Sequence, residues 1–400
     1  MTAFISRSNQ ALIIKVLLLC LICVQPLYIL QAQEDTPWKA RRLNMSKNGR
    51  FLAVRYGEDG PRIPGYKSGV WIYDLQNLPS PPQHLMDTFD YPVRIEFSPN
   101  SKFLALGTYD WLTIFDIENI NAILDLSSLA TPIRSDFRWI SFSPDSKYIK
   151  SFSDWWTMEH EMSIWHIQTG QRVHAVGAAR TQEWIKRPWL SPDWQQFLDW
   201  SATETKSYPI NEFDIERGIG QPLGIITKRN DVGTVFSPDS SLFALATWEG
   251  DVQIYETKTW TMQSSASLYE DPCGENGILM AYSYNITSLA TFCGLNGRLL
   301  VWNFETNEIV FSTDNGAGEP KFTANDTFLV SGRSFSNVPE KFHILVWNRE
   351  QDHELTRYPG VNPELHPNSE LMAAIGPDGK VSIWNIKSKQ LLVTLPVPRH

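Results

Sequence analysis

The sequence predicts an all-β fold in which eight small antiparallel sheets of four strands each stack radially around one axis. Three observations predict it. First, one phrase is written eight times: a tight turn, an apolar run, a second turn, then an apolar run closing on an aromatic followed by a polar residue. The closes are Tyr73-Asp74, Phe115-Asp116, Trp165-His166, Phe213-Asp214, Tyr255-Glu256, Trp302-Asn303, Trp347-Asn348 and Trp384-Asn385. Second, successive aromatics lie 42, 50, 48, 42, 47, 45 and 37 residues apart, the length of a four-stranded unit and too long for a helical hairpin. Third, the run after the first turn is apolar throughout, as a strand covered on both faces requires.

The fifth copy, residues 235–256, shows the logic. Ser237-Pro238-Asp239-Ser240 is a type I turn signature, with Pro fixing φ and Asp able to bond nearby backbone. Leu242-Phe243-Ala244-Leu245-Ala246 follows as a buried strand, Glu249-Gly250-Asp251 turns the chain, and Val252-Gln253-Ile254-Tyr255 alternates as the next strand. A fourth strand falls within 261–268. The same first turn recurs as Ser98-Pro99-Asn100-Ser101, Ser143-Pro144-Asp145-Ser146, Ser191-Pro192-Asp193-Trp194 and His366-Pro367-Asn368-Ser369. Other turn formers replace it at Lys47-Asn48-Gly49, Tyr284-Asn285 and Ala324-Asn325-Asp326. The fourth copy is the most degenerate, so seven sheets is the alternative. Residues 41–44 supply a first inner strand and 391–397 a last outer one.

A unit that is apolar on both faces is unstable alone and needs neighbours on each side. Radial stacking provides them and leaves only short edges. The Ser-Pro-Asp turn, the Leu-Ala strand and the Ile-Trp-Asn or Ile-Tyr-Glu close together resemble the WD40-type β-propeller over about residues 40–395. The resemblance implies an eight-bladed β-propeller of four-stranded antiparallel blades. Two family features are absent: the Gly-His pair ahead of each repeat, and, in most copies, the aspartate of the hydrogen-bonded tetrad.

The repeat leaves no room for a second fold in 400 residues. Net charge is -9, and beyond the first 33 residues it is -11, from 33 basic and 44 acidic groups. Such a surface repels phosphate backbones, which argues against nucleic acid as a partner. Residues 1–32 read as a secretory signal: a weakly basic start ending at Lys15, an unbroken apolar run over 16–24, and a small residue, Ala32, before the cut. An uncleaved anchor over 11–30 is the competing reading, and the only route to a membrane. The expected arrangement is thus a signal at 1–32 and a propeller at 33–400, exported to the periplasm, cell surface or medium. Outside the leader, Cys273 and Cys293 make an even count in an exported chain, which suggests a disulfide. In the WD40-like topology the connections that carry them emerge on the same face.

No hydrolase elbow, zinc-protease helix, phosphate loop or calcium loop occurs, and no cofactor is expected. His160, His166 and His174 have spacing too loose for a metal site, and His166 fills the polar slot of a closing phrase. The tryptophans are more informative. Five of the 16 belong to closing strands, but Trp155, Trp156, Trp184, Trp189, Trp194 and Trp200 cluster within 46 residues of the third and fourth copies. Trp155, Trp156, Trp184, Trp189 and Trp194 are therefore the expected binding platform for a protein or glycan partner. The opposing reading is that they wedge between irregular blades. Three N-glycosylation triplets, at Asn44, Asn285 and Asn325, lie near first turns. A binding or scaffolding module is the function expected; a propeller hydrolase, lactonase or lyase, or a structural subunit of an envelope complex, are the alternatives.

Overall fold

The structure is a computed structural model that describes residues 38–57, 68–88, 94–108, 111–126, 135–153, 161–177, 189–200, 204–209, 224–227, 231–247, 249–269, 273, 278–333, 342–350 and 354–398. They form eight four-stranded antiparallel sheets, each ordered as in the sequence. Numbered along the chain, the sheets span 39–88, 94–125, 135–177, 189–227, 231–267, 278–313, 319–359 and 361–394. The first strand of each is innermost, and these begin and end at Lys39–Met45, Arg94–Phe97, Ser135–Phe142, Trp189–Leu190, Asp231–Phe236, Ile278–Tyr282, Glu319–Phe322 and Val361–Leu365.

One closing phrase is corrected. The third strand of sheet 4 is Glu204–Pro209, and Tyr208 pairs with Phe197 as Tyr255 pairs with Phe243 in sheet 5. Tyr208-Pro209 therefore takes the place expected for Phe213-Asp214, which lies outside the described residues. The reason is local: the Ser191 turn fixes the preceding strand at Gln196–Trp200, and only a short connection follows before the chain must return.

All eight first turns share one build, including the three whose sequence differs. The fourth residue is left-handed in every copy, with φ of 57–72° at Gly49, Ser101, Ser146, Trp194, Ser240, Ile286, Asp326 and Ser369. Its first residue is a buried hydroxyl in seven copies: Ser46, Ser98, Ser143, Ser191, Ser237, Ser283 and Thr323. Each of these oxygens accepts from the backbone N–H five residues later, at 2.8–3.0 Å. In six of the seven the hydroxyl also donates to the Asn or Asp two residues on. A donor and an acceptor at a buried strand end are thus satisfied by one side chain.

The turns also bond to one another. Asn48 N–H donates to Ser101 Oγ of the next sheet, Asn100 N–H to Ser146 Oγ, Asp193 N–H to Ser240 Oγ and Asn325 N–H to Ser369 Oγ, at 2.9–3.1 Å. Between sheets 6 and 7 the amides of Tyr284 and Asn285 both donate to the Asp326 carboxylate at 2.7 Å. From sheet 8 back to sheet 1 the His366 ring reaches the Gly49 carbonyl at 3.1 Å. At the other two junctions the receiving residues are Trp194 and Ile286, which carry no hydroxyl.

Beneath the turns, one apolar cluster fills each junction. Leu52, Val54 and Tyr73 of sheet 1 meet Ala373, Ile375 and Ile383 of sheet 8, and Leu395 joins them from the chain's last residues. Met162 and Ile164 of sheet 3 meet Leu190 of sheet 4, and Leu198 of sheet 4 meets Phe243 and Leu245 of sheet 5. The ring closes with further backbone contacts: Ala40 N–H donates to Gly379 O at 2.8 Å, and Tyr73 Oη donates to Pro396 O at 2.6 Å. This is the β-propeller expected from radial stacking. Between sheets 5 and 6, Cys273 and Cys293 form a fully buried disulfide with Cα atoms 5.4 Å apart. Closing a loop with sequence separation 20 contributes about 3 kcal/mol in the chain-entropy account.

The closing junction carries a pH dependence. Asn368 N–H donates to His366 Nδ1 at 3.1 Å, so the proton sits on Nε2, which donates to Gly49 O. Burial pushes the His366 pKa below its ordinary value, against the pull of these two bonds. A depressed folded pKa means the stabilisation is complete above the unfolded value of about 6.5 and is lost as pH falls through the lower folded value. We expect wild type to lose about 1 kcal/mol more than His366→Ser between pH 7 and pH 5 in urea unfolding. Equal losses would remove His366 from this role.

Candidate functional site

Seven charged side chains converge on the propeller axis. The innermost strands place Arg42 in sheet 1, Arg94 and Glu96 in sheet 2, Glu319 and Lys321 in sheet 7, and Glu364 in sheet 8. Lys150 joins them from the second strand of sheet 3, Tyr148–Ser153. The strand register explains the convergence. Glu96, Lys321 and Glu364 each stand two residues before the first residue of the turn, and Arg42, Arg94 and Glu319 stand four before it. Residues of equal parity share a strand face, so these positions recur at one height in each sheet.

Arg94 donates through Nε and Nη2 to Glu96 at 3.0 and 2.9 Å. Lys321 Nζ donates to Glu364 at 3.3 Å and to Pro363 O at 3.2 Å. The four side chains keep between 18% and 37% exposure although they belong to innermost strands, so the axis is open to water there.

Each group feels others several sheets away. Burial pulls the Arg42 pKa down to about 10, assisted by Arg94 and opposed by Glu364, Glu96 and Glu319. Burial also pulls Lys150 down to about 8, with Arg94 lowering it further and Glu96 opposing. Burial works against the charged forms of Arg94 and Lys321 as well, but Glu96 and Glu364 respectively outweigh it and hold both above their ordinary values. Arg94 of sheet 2 acts on Lys321 of sheet 7, an interaction that crosses the axis. The seven groups carry four positive and three negative charges in a chain whose net charge is -9.

On sheets 5 and 6 the axis changes character. The equivalent positions are Gly233 and Val235 in sheet 5 and Leu279 and Ala281 in sheet 6. Leu279 is 43% exposed on its innermost strand. One part of the axial wall is therefore charged and another apolar.

The tryptophan platform is only partly within the described residues. Trp155, Trp156 and Trp184 lie outside them. The strand before Trp155 ends at Ser153 and the next begins at Glu161, so both residues of the pair belong to that connection. Trp189 is on the innermost strand of sheet 4, two residues before Ser191, the register position of Glu96 and Lys321. Trp194 occupies the left-handed turn position with φ of 60° and is half-buried against Met162, Ile164 and Leu190 at the seam of sheets 3 and 4. The Nδ1 of His166 accepts from Thr169 N–H at 3.3 Å and caps its own turn. Among the described residues no three His, Cys, Asp or Glu side chains are grouped to hold a metal.

No protein-family model matches the chain, and no curated protein matches it. Among solved structures it is similar to Sqt1 of Chaetomium thermophilum, with TM-score 0.63, 14% identity, and 88% of this chain and 96% of that one covered. It is similar also to a chain of a mitotic checkpoint complex, with TM-score 0.50, 11% identity, and 73% and 86% covered. The WD40-like β-propeller fold is the class these likenesses support.

The axial lysine gives a measurable signature. Because its folded pKa is depressed, its neutral form is favoured by folding, and holding the ammonium on the axis costs stability as pH falls below about 10. Lys150→Met is expected to raise stability at pH 7 by about 1–2 kcal/mol, and the gain should vanish as pH approaches 10. A gain independent of pH, or a loss, would contradict the assignment.

Proposed function

We propose that the chain is an exported, eight-bladed WD40-like propeller, residues 33–400 after loss of a leader at 1–32, that works as a non-catalytic module binding a protein partner at the edge of sheets 3 and 4. The observation that carries it is Trp194. It stands where four of the eight turns have a serine that bonds the preceding sheet, and its partly buried indole marks that seam instead. A bulky residue at positive φ is a strained choice that burial elsewhere must offset. Trp155 and Trp156 fall in sequence between the second and third strands of the same sheet 3, and Trp is among the side chains enriched at interface hot spots. A chain of similar fold belongs to a mitotic checkpoint complex, a multi-protein assembly, and this use of a propeller is the one we infer. The apolar run of the leader and the buried Cys273–Cys293 disulfide support export, because such bonds persist in oxidising compartments.

Cross-linked recovery of partners from intact envelope fractions tests the reading. Trp155→Ala and Trp194→Ala should each lower recovery of the wild-type partner set by about 30-fold, the cost of losing a hot-spot residue, with the melting temperature nearly unchanged for Trp155→Ala and lowered for Trp194→Ala, whose indole also packs in the seam. The exposed Lys387→Ala should change nothing. The recovered chain should begin at Gln33. Undiminished recovery by both tryptophan variants, or a chain that keeps Met1, would overturn the corresponding part; recovery of glycan alone would replace a protein partner with a sugar.

A further inference from the structure

The seam between sheets 5 and 6 is held differently from its neighbours. Its turn end has Ile286 where Ser101, Ser146, Ser240 and Ser369 each receive an amide from the preceding sheet, so no fourth-position hydroxyl meets Asp239 N–H across it. The outer side adds one long bond there, Ser264 Oγ to Phe304 O at 3.3 Å. At the opposite end the chain passing from one sheet to the next is fastened to both. Leu268 N–H donates to Gly250 O of sheet 5 at 3.0 Å, and a β-carbon on Gly250 would fall 2.6 Å from the Tyr269 carbonyl oxygen. The Tyr269 hydroxyl shares a buried hydrogen bond of 2.7 Å with Thr291 Oγ1 of sheet 6, and Cys273 joins Cys293, the last residue of that same strand, Ser288–Cys293. Both cysteines are fully buried in a cluster that includes Ala246 and Val252 of sheet 5 and Ile278 and Leu300 of sheet 6. We infer that the Cys273–Cys293 bond is a redox latch: oxidation locks the seam of sheets 5 and 6 where the turn lock is missing, and in the dithiol form this seam opens while the turn-locked seams stay closed.

Without the covalent tie the fastened end keeps two neutral hydrogen bonds, each a net factor of only about 5 in an opening equilibrium. The apolar cluster is non-directional and does not replace them. The redox step balances as thiol–disulfide exchange. One cysteine thiolate attacks an acceptor disulfide and expels one thiol from it; the second cysteine attacks the mixed disulfide and expels the other. Two electrons and two protons thereby pass from Cys273 and Cys293 to the acceptor, a small-molecule or protein disulfide. Buried sulfurs are out of reach of an exchange partner, so exchange precedes the closing of the seam, and reduction requires that seam to open. These contacts belong to the fold and stand whether or not the chain is exported; an oxidising compartment supplies the acceptor.

Hydrogen exchange of the full chain, oxidised and after reduction by a phosphine, tests the latch on wild type itself. Reduction should speed exchange in the second strands of sheets 5 and 6, Leu242–Thr247 and Ser288–Cys293, at least about 10-fold, and leave the second strands of sheets 1 and 8, Phe51–Gly57 and Leu371–Ile375, unchanged. Cys293→Ala should give the same pattern without reductant. Ile286→Ser, which supplies the missing hydroxyl, should slow exchange at the opened seam about 5-fold in the reduced chain and have a smaller effect in the oxidised one. No change on reduction would overturn the inference. So would equal acceleration in every sheet, which would make the disulfide a staple of the whole fold, or an Ile286→Ser effect of the same size in both redox states.

Discussion

A single buried hydroxyl, repeated seven times, is the contact on which the rest of the ring depends. Each oxygen accepts the N–H of the strand that leaves the turn, and most also hold the carbonyl-bearing side chain two residues on, so the turn has one conformation. That conformation forces a left-handed fourth residue, and the fourth residue in turn offers its own side chain to the amide of the preceding sheet. A local turn preference thus becomes a contact between sheets. The apolar clusters between the sheets provide most of the burial, about 25 cal/mol per Å² of apolar area removed from water, but they are non-directional. The turn bonds are directional and set the angle at which one sheet meets the next.

The ring end shows the same device with a different side chain. His366 replaces serine as first residue of the last turn and reaches the Gly49 carbonyl, and a β-carbon at Gly49 would fall inside the imidazole. Gly49 is therefore required twice, for its positive φ and for the space the ring occupies. Tyr73, whose hydroxyl bonds Tyr56 as well as Pro396, ties the outer side of the same junction. First and last sheets are thus joined at both their turns and their tails, so the ring is closed at two heights.

Much of this was legible in the residues. The Ser-Pro-Asp turns and the apolar run after them locate the sheets, because they report backbone geometry and burial directly. The cysteine pair was legible from its count and its place in the repeat. The fourth close was misplaced, since Phe213-Asp214 matches the phrase better than Tyr208-Pro209 by letter, whereas pairing to Phe197 is decided by distance from the Ser191 turn. The hydroxyls of Ser46, Ser283 and Thr323 were hidden because the residues after them lack proline, though their offset from the following strand is the same. The axial charges carried a signal that went unused: Arg94-Ile95-Glu96-Phe97 and Glu319-Pro320-Lys321-Phe322 alternate charged and apolar residues on strands that should be covered. Single-strand alternation reads as an ordinary solvent face, and only the register across several copies shows that those faces meet at one axis.

The central claim is that the turns lock sheet to sheet, and hydrogen exchange at single-residue resolution tests it most directly. Asn100, Asp193 and Asn325 are exposed residues at turn tips, yet their amides donate to serines of the neighbouring sheet. Their exchange should be slowed about 100-fold or more relative to the amides of Asp145 and Asp239, whose next turns present Trp194 and Ile286 in place of a hydroxyl. Equal, loop-like exchange at all five amides would show that the turns do not lock the ring.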